Sequence, residues 1–227
     1  MEDIERAQFK NKGHEFDYQF YKTPTLPILI QEIFHDNYHI LDRGIELREG
    51  DVVVDIGANE GIFSIWLAKQ FPGVKILAFE PVPRTFWQMV RNIGLNGIVN
   101  ITAYNLGLGD KKGSVTMNVN KEFSGGSSSE CTFDNKTQDQ INAETIPLDN
   151  ILNEYGIDHI RLLKMDVEGA EYHILYKSTI LPKVDYFVGE FHINDQLAKK
   201  GYDINELATW VGMQTKLIYY DRCHMSE

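Results

Sequence analysis

The chain has 227 residues, of which 43% are hydrophobic and 24% charged, and its formal charge at pH 7 is −11. This length suits one α/β domain with a short extension, and no segment has the roughly 18 uninterrupted apolar residues that cross a bilayer. The negative charge argues against nucleic acid, which binds largely through Lys and Arg, and against an anionic membrane surface. The composition therefore predicts a small or uncharged partner molecule.

The N-terminus and the cysteines predict a cellular location. The first residues, MEDIERAQFK, are polar and contain no apolar signal-peptide core. Two cysteines, Cys131 and Cys223, do not make a disulfide framework. We therefore expect free thiols and a cytoplasmic protein. The sequence predicts no oligomeric state.

The first 50 residues precede any regular alternation of strands and helices. Within them, residues 27–41 (PILIQEIFHDNYHIL) place apolar side chains at helical spacing. We predict that residues 1–50 form an N-terminal helical extension or cap. Residues 51–227 are predicted to form the main domain, packed with the extension as a single compact unit.

From residue 51 strands and helices alternate. The run DVVVDIG is β-branched, as expected of a strand buried on both faces of a parallel sheet, and it is followed by a helix (IFSIWLAKQF), a strand (VKILAFEP) and a second helix (TFWQMVRNIGLNG). Further strands are predicted at ITAYNLGLGD, IRLLKMDVEG, YFVGEFH and TKLIYYD, with SVTMNVN pairing beside the third strand. Helices are predicted at 170–177 and around residues 204–211. This order predicts a Rossmann-like α/β fold, with a doubly wound, mostly parallel sheet and helices on both faces.

One segment inside the domain differs from this alternation. Residues 121–139 (KEFSGGSSSECTFDNKTQD) are rich in Gly and Ser and poor in apolar residues. They are interpreted either as a plain surface loop or as a lid over a ligand crevice, because lids are commonly such loops. As a lid, the part from Ser124 to Ser129 is expected to order when an acceptor binds.

The turn after the first strand of the domain, DIGANEG, limits the choice of ligand. It lacks the Lys and Ser/Thr of a phosphate-binding loop, and it has two glycines where a dinucleotide usually requires three. Asp55 and Glu60 would repel a pyrophosphate but suit a ligand with a positive end. Glu80 closes the second strand and can accept hydrogen bonds from both ribose hydroxyls. These features together indicate S-adenosylmethionine, whose carboxylate could use the helix N-terminus after Gly57.

Several of these motifs also resemble a known family. GDVVVDIGANEGIFSIWLA, AFEPVP, NLGLGDKKGSV, IPLDNIL and especially RLLKMDVEGAEYHIL are similar to the FkbM methyltransferases, over about residues 31–192. The resemblance implies a class I methyltransferase fold and, mostly, O-methylation of hydroxyls on natural products or sugars. It also implies a set of cofactor-binding residues: Tyr38, Asp55, Gly57, Ala58, Asn59, Gly61, Ser64, Glu80, Pro81, Asn105, Leu106 and Asp166. Asn105 and Leu106 would line the adenine pocket.

Catalytic candidates follow the fourth and fifth strands of the domain. Asp166 closes the fourth strand, while Glu190 and His192 lie two apart near the end of the fifth and so point to one face. His192 is our first candidate for a general base, because an ordinary histidine pKa of about 6.5 suits work near neutrality. Asp166 is assigned to orientation of the acceptor or the sulfonium. We expect no metal; a divalent cation held by Asp166, Glu190 and His192 is the alternative.

Three classes of function follow. The first is a methyltransferase acting on a hydroxyl of a small-molecule acceptor. The second acts on nitrogen or on a macromolecule, although the Asp/Asn-Pro-Pro-aromatic element usual in enzymes that methylate nucleic-acid amines is replaced here by MDVEGA. The third is a dinucleotide oxidoreductase or a binding domain without activity. The identity of the acceptor is not encoded in any motif of the sequence.

Overall fold

A computed structural model of the chain describes residues 4–21, 44–120, 126–130 and 138–225. The strands in these ranges are β1 Ile4–Asn11, β2 His14–Tyr21, β3 Val52–Ile56, β4 Lys75–Phe79, β5 Ile101–Tyr104, β6 Gly107–Gly109, β7 Gly113–Asn120, β8 Gln138–Pro147, β9 Ile160–Met165, β10 Val184–Ile193 and β11 Leu217–His224. The α-helices are α1 Ile62–Gln70, α2 Pro83–Leu95, α3 Asn150–Glu154, α4 Glu171–Leu175, α5 Asp195–Lys199 and α6 Ile204–Gly212. Among the described residues, no helix is long and apolar enough to cross a membrane.

The main sheet consists of six parallel strands in the order β11-β10-β9-β3-β4-β5. The chain builds outward from β3 through β4 to β5, and then from β9 through β10 to β11 on the other side. The strand order therefore reverses between β3 and β9, where ligands of such sheets bind beyond the carboxyl ends of the strands. The predicted doubly wound, mostly parallel α/β fold is confirmed.

The central strand β3 is buried on both faces. Val53 packs in one apolar cluster with Ile65 of helix α1, whereas Val54 packs in a second cluster with Leu163 of β9. None of these four side chains is exposed to solvent. Burial on both faces explains why the sequence of β3 is a continuous β-branched run instead of an alternating one.

The N-terminal residues correct the prediction of a helical extension. Residues 4–21 form an antiparallel hairpin of β1 and β2, closed by the two-residue turn Lys12-Gly13, whose φ angles are 44° and 85°. Two positive φ angles are typical of the turn whose twist matches a hairpin. Phe16, Tyr18 and Phe20 are buried at alternate positions of β2, a period of two that belongs to a strand. The helically spaced residues 27–41 lie outside the described residues.

The hairpin covers the outer face of helix α1. All seven residues from Ile62 to Ala68 are buried, and a helix that is apolar all round needs neighbours on all sides. The sheet covers one side, and the aromatic side chains of β2 pack with those of the helix on the other. Tyr18 donates its hydroxyl to the carbonyl of Ile62 at 3.3 Å. The hairpin is therefore part of the core.

Amide side chains of helix α2 bind the free edge of β2. The backbone N–H of Gln19 donates to Asn92 Oδ1 at 2.8 Å, and Gln88 Nε2 donates to the carbonyl of Gln19 at 2.8 Å. Asn96 bonds both backbone groups of Asp17, at 3.1 and 2.6 Å. These side chains satisfy an edge that would otherwise be open to pairing with another chain.

A second, three-stranded sheet has the order β6-β8-β7. The prediction that SVTMNVN pairs beside the third strand of the domain is wrong, because this segment is β7 and pairs antiparallel with β8 from Gly113↔Thr145 to Asn120↔Gln138. The polar sequence of β8 (QDQINAETIP) gave no strand signal. A long antiparallel partner offers β7 a complete ladder of hydrogen bonds, whereas β5 of the main sheet ends at Tyr104.

Replacing Phe20 by Ala is expected to lower the free energy of unfolding by about 3–5 kcal/mol, because the phenyl ring is 1% exposed and its loss leaves a cavity. Urea denaturation measures the change. Ile4→Ala is the control on the same hairpin, since Ile4 is 46% exposed, and it should change stability little. Equal stability of the Phe20 variant and the unchanged protein would contradict a structural role of the hairpin.

Candidate functional site

The turn after β3 is shaped by glycine. Gly57, Asn59 and Gly61 all have positive φ angles, of 74°, 51° and 82°. A Cβ atom on Gly57 would lie 1.8 Å from the carbonyl oxygen of Asp166, so only glycine fits where the ends of β3 and β9 meet. The N–H groups of Gly57 and Ala58 both donate to Phe79 O, at 3.1 and 3.0 Å, which ties the turn to β4.

Glu80, directly after β4, binds the same turn. Its Oε2 accepts the N–H of Asn59 at 3.0 Å and its Oε1 accepts the N–H of Val82 at 2.9 Å. The carboxyl is 6% exposed, and burial raises its pKa to about 7, although both backbone donors oppose the rise. The predicted ribose-binding acid is thus fixed in place at the carboxyl end of β4.

A buried lysine lies beneath the turn. Lys164, within β9, donates from Nζ to the carbonyl of Gly57 at 2.8 Å. It also pairs with Asp55 Oδ1 at 3.4 Å and Asp166 Oδ2 at 3.8 Å. Burial alone would lower the pKa of Lys164, but the charges of Asp55, Asp166 and Glu190 raise it, so the ammonium keeps its proton. The sequence analysis did not identify this residue, whose signal is a single charge inside the apolar run IRLLKM.

The two acids that flank the turn are buried and do not line the cavity at the strand ends. Asp55 is inside β3, is fully buried, and accepts the hydroxyl of Ser64 at 2.6 Å in addition to its pair with Lys164. Glu60 is 2% exposed and accepts the backbone N–H of Tyr21 in the hairpin; burial raises its pKa to about 8. Both carboxylates thus have protein partners, and the interpretation of them as partners of a cationic ligand stays a prediction. They hold the turn to its neighbours.

A small cavity of about 70 Å³ lies at the carboxyl ends of β3, β4 and β9. It is lined by Gly57, Asn59, Glu80, Pro81, Met117, Ser127, Asp166, Val167 and Glu168. Five of these residues were predicted to bind the cofactor: Gly57, Asn59, Glu80, Pro81 and Asp166. Among the polar side-chain atoms of the lining, Asn59 Oδ1 and Ser127 Oγ are buried without a hydrogen-bond partner in the described part of the chain.

The other predicted cofactor residues that the structure describes do not line this cavity. Ala58 packs against Ala78 and Met89. Asn105 donates to the carbonyls of Glu80 and Pro81, and Leu106 is half-buried against the core. Gly61 precedes helix α1, where Ser64 bonds Asp55. Tyr38 lies outside the described residues.

Part of the predicted lid lies over the cavity. Ser127 lines it, and the adjacent Ser128 is fully buried and donates its hydroxyl to the carbonyl of Glu168 at 2.6 Å. Ser128 also forms two backbone hydrogen bonds with Asn118 of β7. Glu130 pairs with Lys200 at 3.0 Å. Residues 126–130 therefore join the second sheet to the strand end that carries Glu168.

The predicted catalytic residues meet in a group of acids around His192. The Nε2 atom of His192 lies 3.5 Å from Glu168, 3.6 Å from Glu190 and 4.0 Å from Asp166, and its Nδ1 lies 2.8 Å from Glu171 Oε1. This meeting depends on β9 and β10 being adjacent. The sequence analysis did not connect Glu168, Glu171 or Cys223 with His192.

The environment of His192 changes its expected role. The ring is 3% exposed. Burial alone would lower the pKa of His192, but the charge of Glu171, hydrogen bonds with Cys223 and Glu171, and the charge of Glu168 raise it well above its ordinary value. The ordinary pKa on which the general-base assignment relied is therefore wrong for this site. In this arrangement the acids favour the protonated imidazole, which makes His192 a poorer general base than expected.

The pKa values of two neighbouring carboxyl groups are also raised. Burial raises the pKa of Glu168 to about 8, with added repulsion from Asp166, Glu171 and Glu190. Burial and the charge of Asp166 raise the pKa of Glu190 to about 7, although Cys223 donates its thiol to Glu190 at 3.0 Å. Such shifts indicate that the acids are crowded where water is scarce, which is typical of functional sites.

Replacing Lys164 by Met is expected to lower the free energy of unfolding by about 3–5 kcal/mol, because Asp55 is left as a buried charge without its partner. The double variant Lys164→Met/Asp55→Asn should lose less, since that charge is removed as well. Chemical denaturation of both measures the difference. Lys75→Met is the control, because Lys75 is exposed at the start of β4; equal losses in the single and double variants would contradict the pairing.

The chain is similar to known methyltransferases over the part that contains these motifs. The methyltransferase FkbM domain matches residues 55–212. The chain is 29% identical over 175 residues to methyltransferase sdnD of Sordaria araneosa, covering 65% of this chain and 66% of that protein. It is 30% identical over 193 residues to 31-O-demethyl-FK506 methyltransferase FkbM of Streptomyces tacrolimicus, covering 72% of this chain and 74% of that protein.

Among solved structures, precorrin-6y C5,15-methyltransferase from Geobacter metallireducens GS-15 is 14% identical with a TM-score of 0.46. The superposition covers 79% of this chain and 70% of that one. We draw no conclusion from a similarity this distant. The family match over residues 55–212 and the 30% identity to the Streptomyces protein together assign the chain to a family. The chain belongs to the FkbM family of S-adenosylmethionine-dependent methyltransferases.

Proposed function

We propose that this protein transfers a methyl group from S-adenosylmethionine to a hydroxyl group of a small molecule, either a natural product or a sugar. One observation carries the proposal: the glycine turn with Glu80 and the acids Asp166 and Glu168 line the same cavity. Predicted cofactor-binding groups and carboxylates that can accept a proton thus line one space. The name of the Streptomyces relative, which methylates an oxygen of FK506, supports the choice of oxygen.

The residues on the turn side fit the cofactor. Glu80 presents a buried carboxylate that can accept two ribose hydroxyls, and Asn59 Oδ1 and Ser127 Oγ are buried polar atoms that a ligand would satisfy. When bound, the cofactor supplies a methyl group on a positively charged sulfur. The cavity of about 70 Å³ is smaller than ligand pockets, which usually measure roughly 300–1,000 Å³. The lining of the cavity must therefore open to admit the cofactor.

The residues on the other side can receive the acceptor. Asp166 and Glu168 have side chains that are 26% and 20% exposed, whereas His192 behind them is 4% exposed. A hydroxyl in the cavity would meet these carboxylates first. We therefore assign Asp166 to accept the hydrogen bond of the hydroxyl and to take its proton, and His192 to hold the positive charge that keeps the acids in place. Orientation of the hydroxyl is a large part of such catalysis.

The net charge of −11 supports a small acceptor over a nucleic acid. A nitrogen or macromolecular acceptor remains the second class, and the acceptor panel described below separates the two. No observation on the described residues supports a dinucleotide oxidoreductase.

The affinity for S-adenosylhomocysteine is expected to increase as the pH rises through about 7. Burial raises the pKa of Glu80 to that value, and only the ionised carboxylate accepts both ribose hydroxyls. At pH 6, one unit below this pKa, the dissociation constant should be roughly tenfold weaker than at pH 8. Calorimetry measures it. In Glu80→Gln the binding should be weaker and this rise lost; an equal pH dependence in both proteins would contradict the assignment of Glu80.

Asp166→Asn should lower the turnover number by about 10²-fold or more, because a positioned base typically contributes 10²–10⁴-fold. The assay follows transfer of a labelled methyl group to a panel of hydroxylated small molecules, amines and nucleic acids. Asp158→Asn is the control, since Asp158 is exposed before the opposite end of the same strand. Transfer only to amines or nucleic acid would overturn the proposed acceptor, and unchanged turnover of Asp166→Asn would overturn its role.

A further inference from the structure

We propose that Asp166, Glu168 and His192 together bind a divalent metal cation on the acceptor side of the cavity. The three residues offer two carboxylate oxygens and one imidazole nitrogen, all within 4.8 Å of one another. Asp166 and Glu168 line the cavity, so the cation would lie where the acceptor is expected. Binding of the cation stands by itself; its use in methyl transfer rests on the proposed function.

The distances suit a small cation. His192 Nε2 lies 3.5 Å from Glu168 Oε2 and 4.0 Å from Asp166 Oδ1. Neighbouring ligands around a cation with bonds of roughly 2.1 Å are about 3 Å apart. Both distances from Nε2 are therefore somewhat longer than between the ligands of a filled site. Small rotations of the two carboxylate side chains, which are partly exposed, would close the difference.

Glu171 prepares the histidine for this role. Its Oε1 lies 2.8 Å from His192 Nδ1 and also accepts the backbone N–H groups of Val167 and Gly169 at 3.3 Å. A carboxylate in this position accepts a hydrogen bond from Nδ1–H, an arrangement that most metal-binding histidines share. The cation would displace the proton of Nε2 and bind the lone pair that this frees. Because Nε2 points towards Asp166 and Glu168, the pair directs the ring at the proposed cation.

The charge around the histidine favours a cation as well. Four carboxyl groups (Asp166, Glu168, Glu171 and Glu190) lie within 4.0 Å of its ring nitrogens. Lys164 balances part of this charge, at 3.8 Å from the second oxygen of Asp166. Carboxylates crowded out of water repel one another, and a divalent cation between two of them removes that repulsion.

A competing set of donors shares the histidine. Glu190, His192 and Cys223 also come within 4.8 Å of one another. In that set the thiol of Cys223 already donates to Glu190 at 3.0 Å, and none of the three residues lines the cavity. A thiolate would select zinc, whereas two carboxylates and one imidazole suit Mn²⁺. The set that contains Asp166 and Glu168 is therefore the one we assign.

Three protein ligands leave open positions on such a cation. The oxygen of the acceptor hydroxyl could occupy one of them, which would fix its distance from Asp166 and polarise its O–H bond. The cation would thus act as a template for the acceptor. This role explains why the protein keeps several acids at one strand end when a single base would suffice for proton removal.

The test is calorimetric titration of the full-length, chelator-treated protein with MnCl₂, with the electron paramagnetic resonance signal of Mn²⁺ as a second measurement. We expect one Mn²⁺ per chain. Asp166→Asn and Glu168→Gln should each weaken its binding tenfold or more, and Glu171→Gln by 10–100-fold, as is usual for a partner of a metal-binding histidine. Cys223→Ala and Asp158→Asn should bind Mn²⁺ as tightly as the unchanged protein. Circular dichroism of each variant checks that it is folded.

Three results would overturn the inference: no binding of Mn²⁺ to the unchanged protein, unchanged binding in both Asp166→Asn and Glu168→Gln, or loss of binding in Cys223→Ala, which assigns the cation to the competing set. Titration with S-adenosylhomocysteine in chelator tests the proposed function separately. If the cofactor product fails to bind while Mn²⁺ binds as expected, the proposed function is overturned and the metal site stands. If it binds and methyl transfer proceeds fully in chelator, the catalytic use of the cation is overturned.

Discussion

The buried ammonium of Lys164 is the interaction on which the candidate site depends. It lies under the glycine turn, bonded to the carbonyl of Gly57 and paired with Asp55 and Asp166. A charge without partners in this position would cost several kcal/mol, so the three groups must stay together for the fold to be stable. Because they come from the ends of β3 and β9, the same pairing fixes the geometry of the crevice where the strand order reverses. The same contacts therefore hold both the candidate site and the centre of the sheet in place.

Around this lysine the carboxyl groups divide into two kinds. Asp55 bonds Ser64, and Glu80 accepts hydrogen bonds from two backbone N–H groups. The side chains of these two acids are therefore fixed in position. Asp166 and Glu168 line the same cavity, and their side chains are partly exposed. Lys164 balances part of the negative charge around Asp166, and the acids raise the pKa of His192 well above its ordinary value. A site of this kind is prepared to receive positive charge, whether as a proton or as a metal.

Much of the fold could be predicted from the sequence. The β-branched run at residues 52–56 required burial on both faces, and the alternation of strands and helices required a parallel sheet, because each depends only on local apolar spacing. Gly57 and Glu80 were identifiable for a similar reason: a turn and a strand end are defined by residues adjacent in the chain. The proximity of Asp166 to His192 followed once β9 and β10 were taken as neighbours. The family itself was recognisable from KMDVEGAE.

Only the tertiary structure decided the roles of the charged residues. Asp55 resembles a ligand-binding acid until Lys164, more than a hundred residues later, is found beside it, and His192 resembles a general base until four carboxyl groups are placed around its ring. The strand β8 was missed because its sequence is polar, and the hairpin at residues 4–21 was missed although its aromatic residues alternate as in a strand. A pKa, an ion pair and a strand register all depend on which groups meet in space and how much water remains between them, and spacing along the chain does not contain that information.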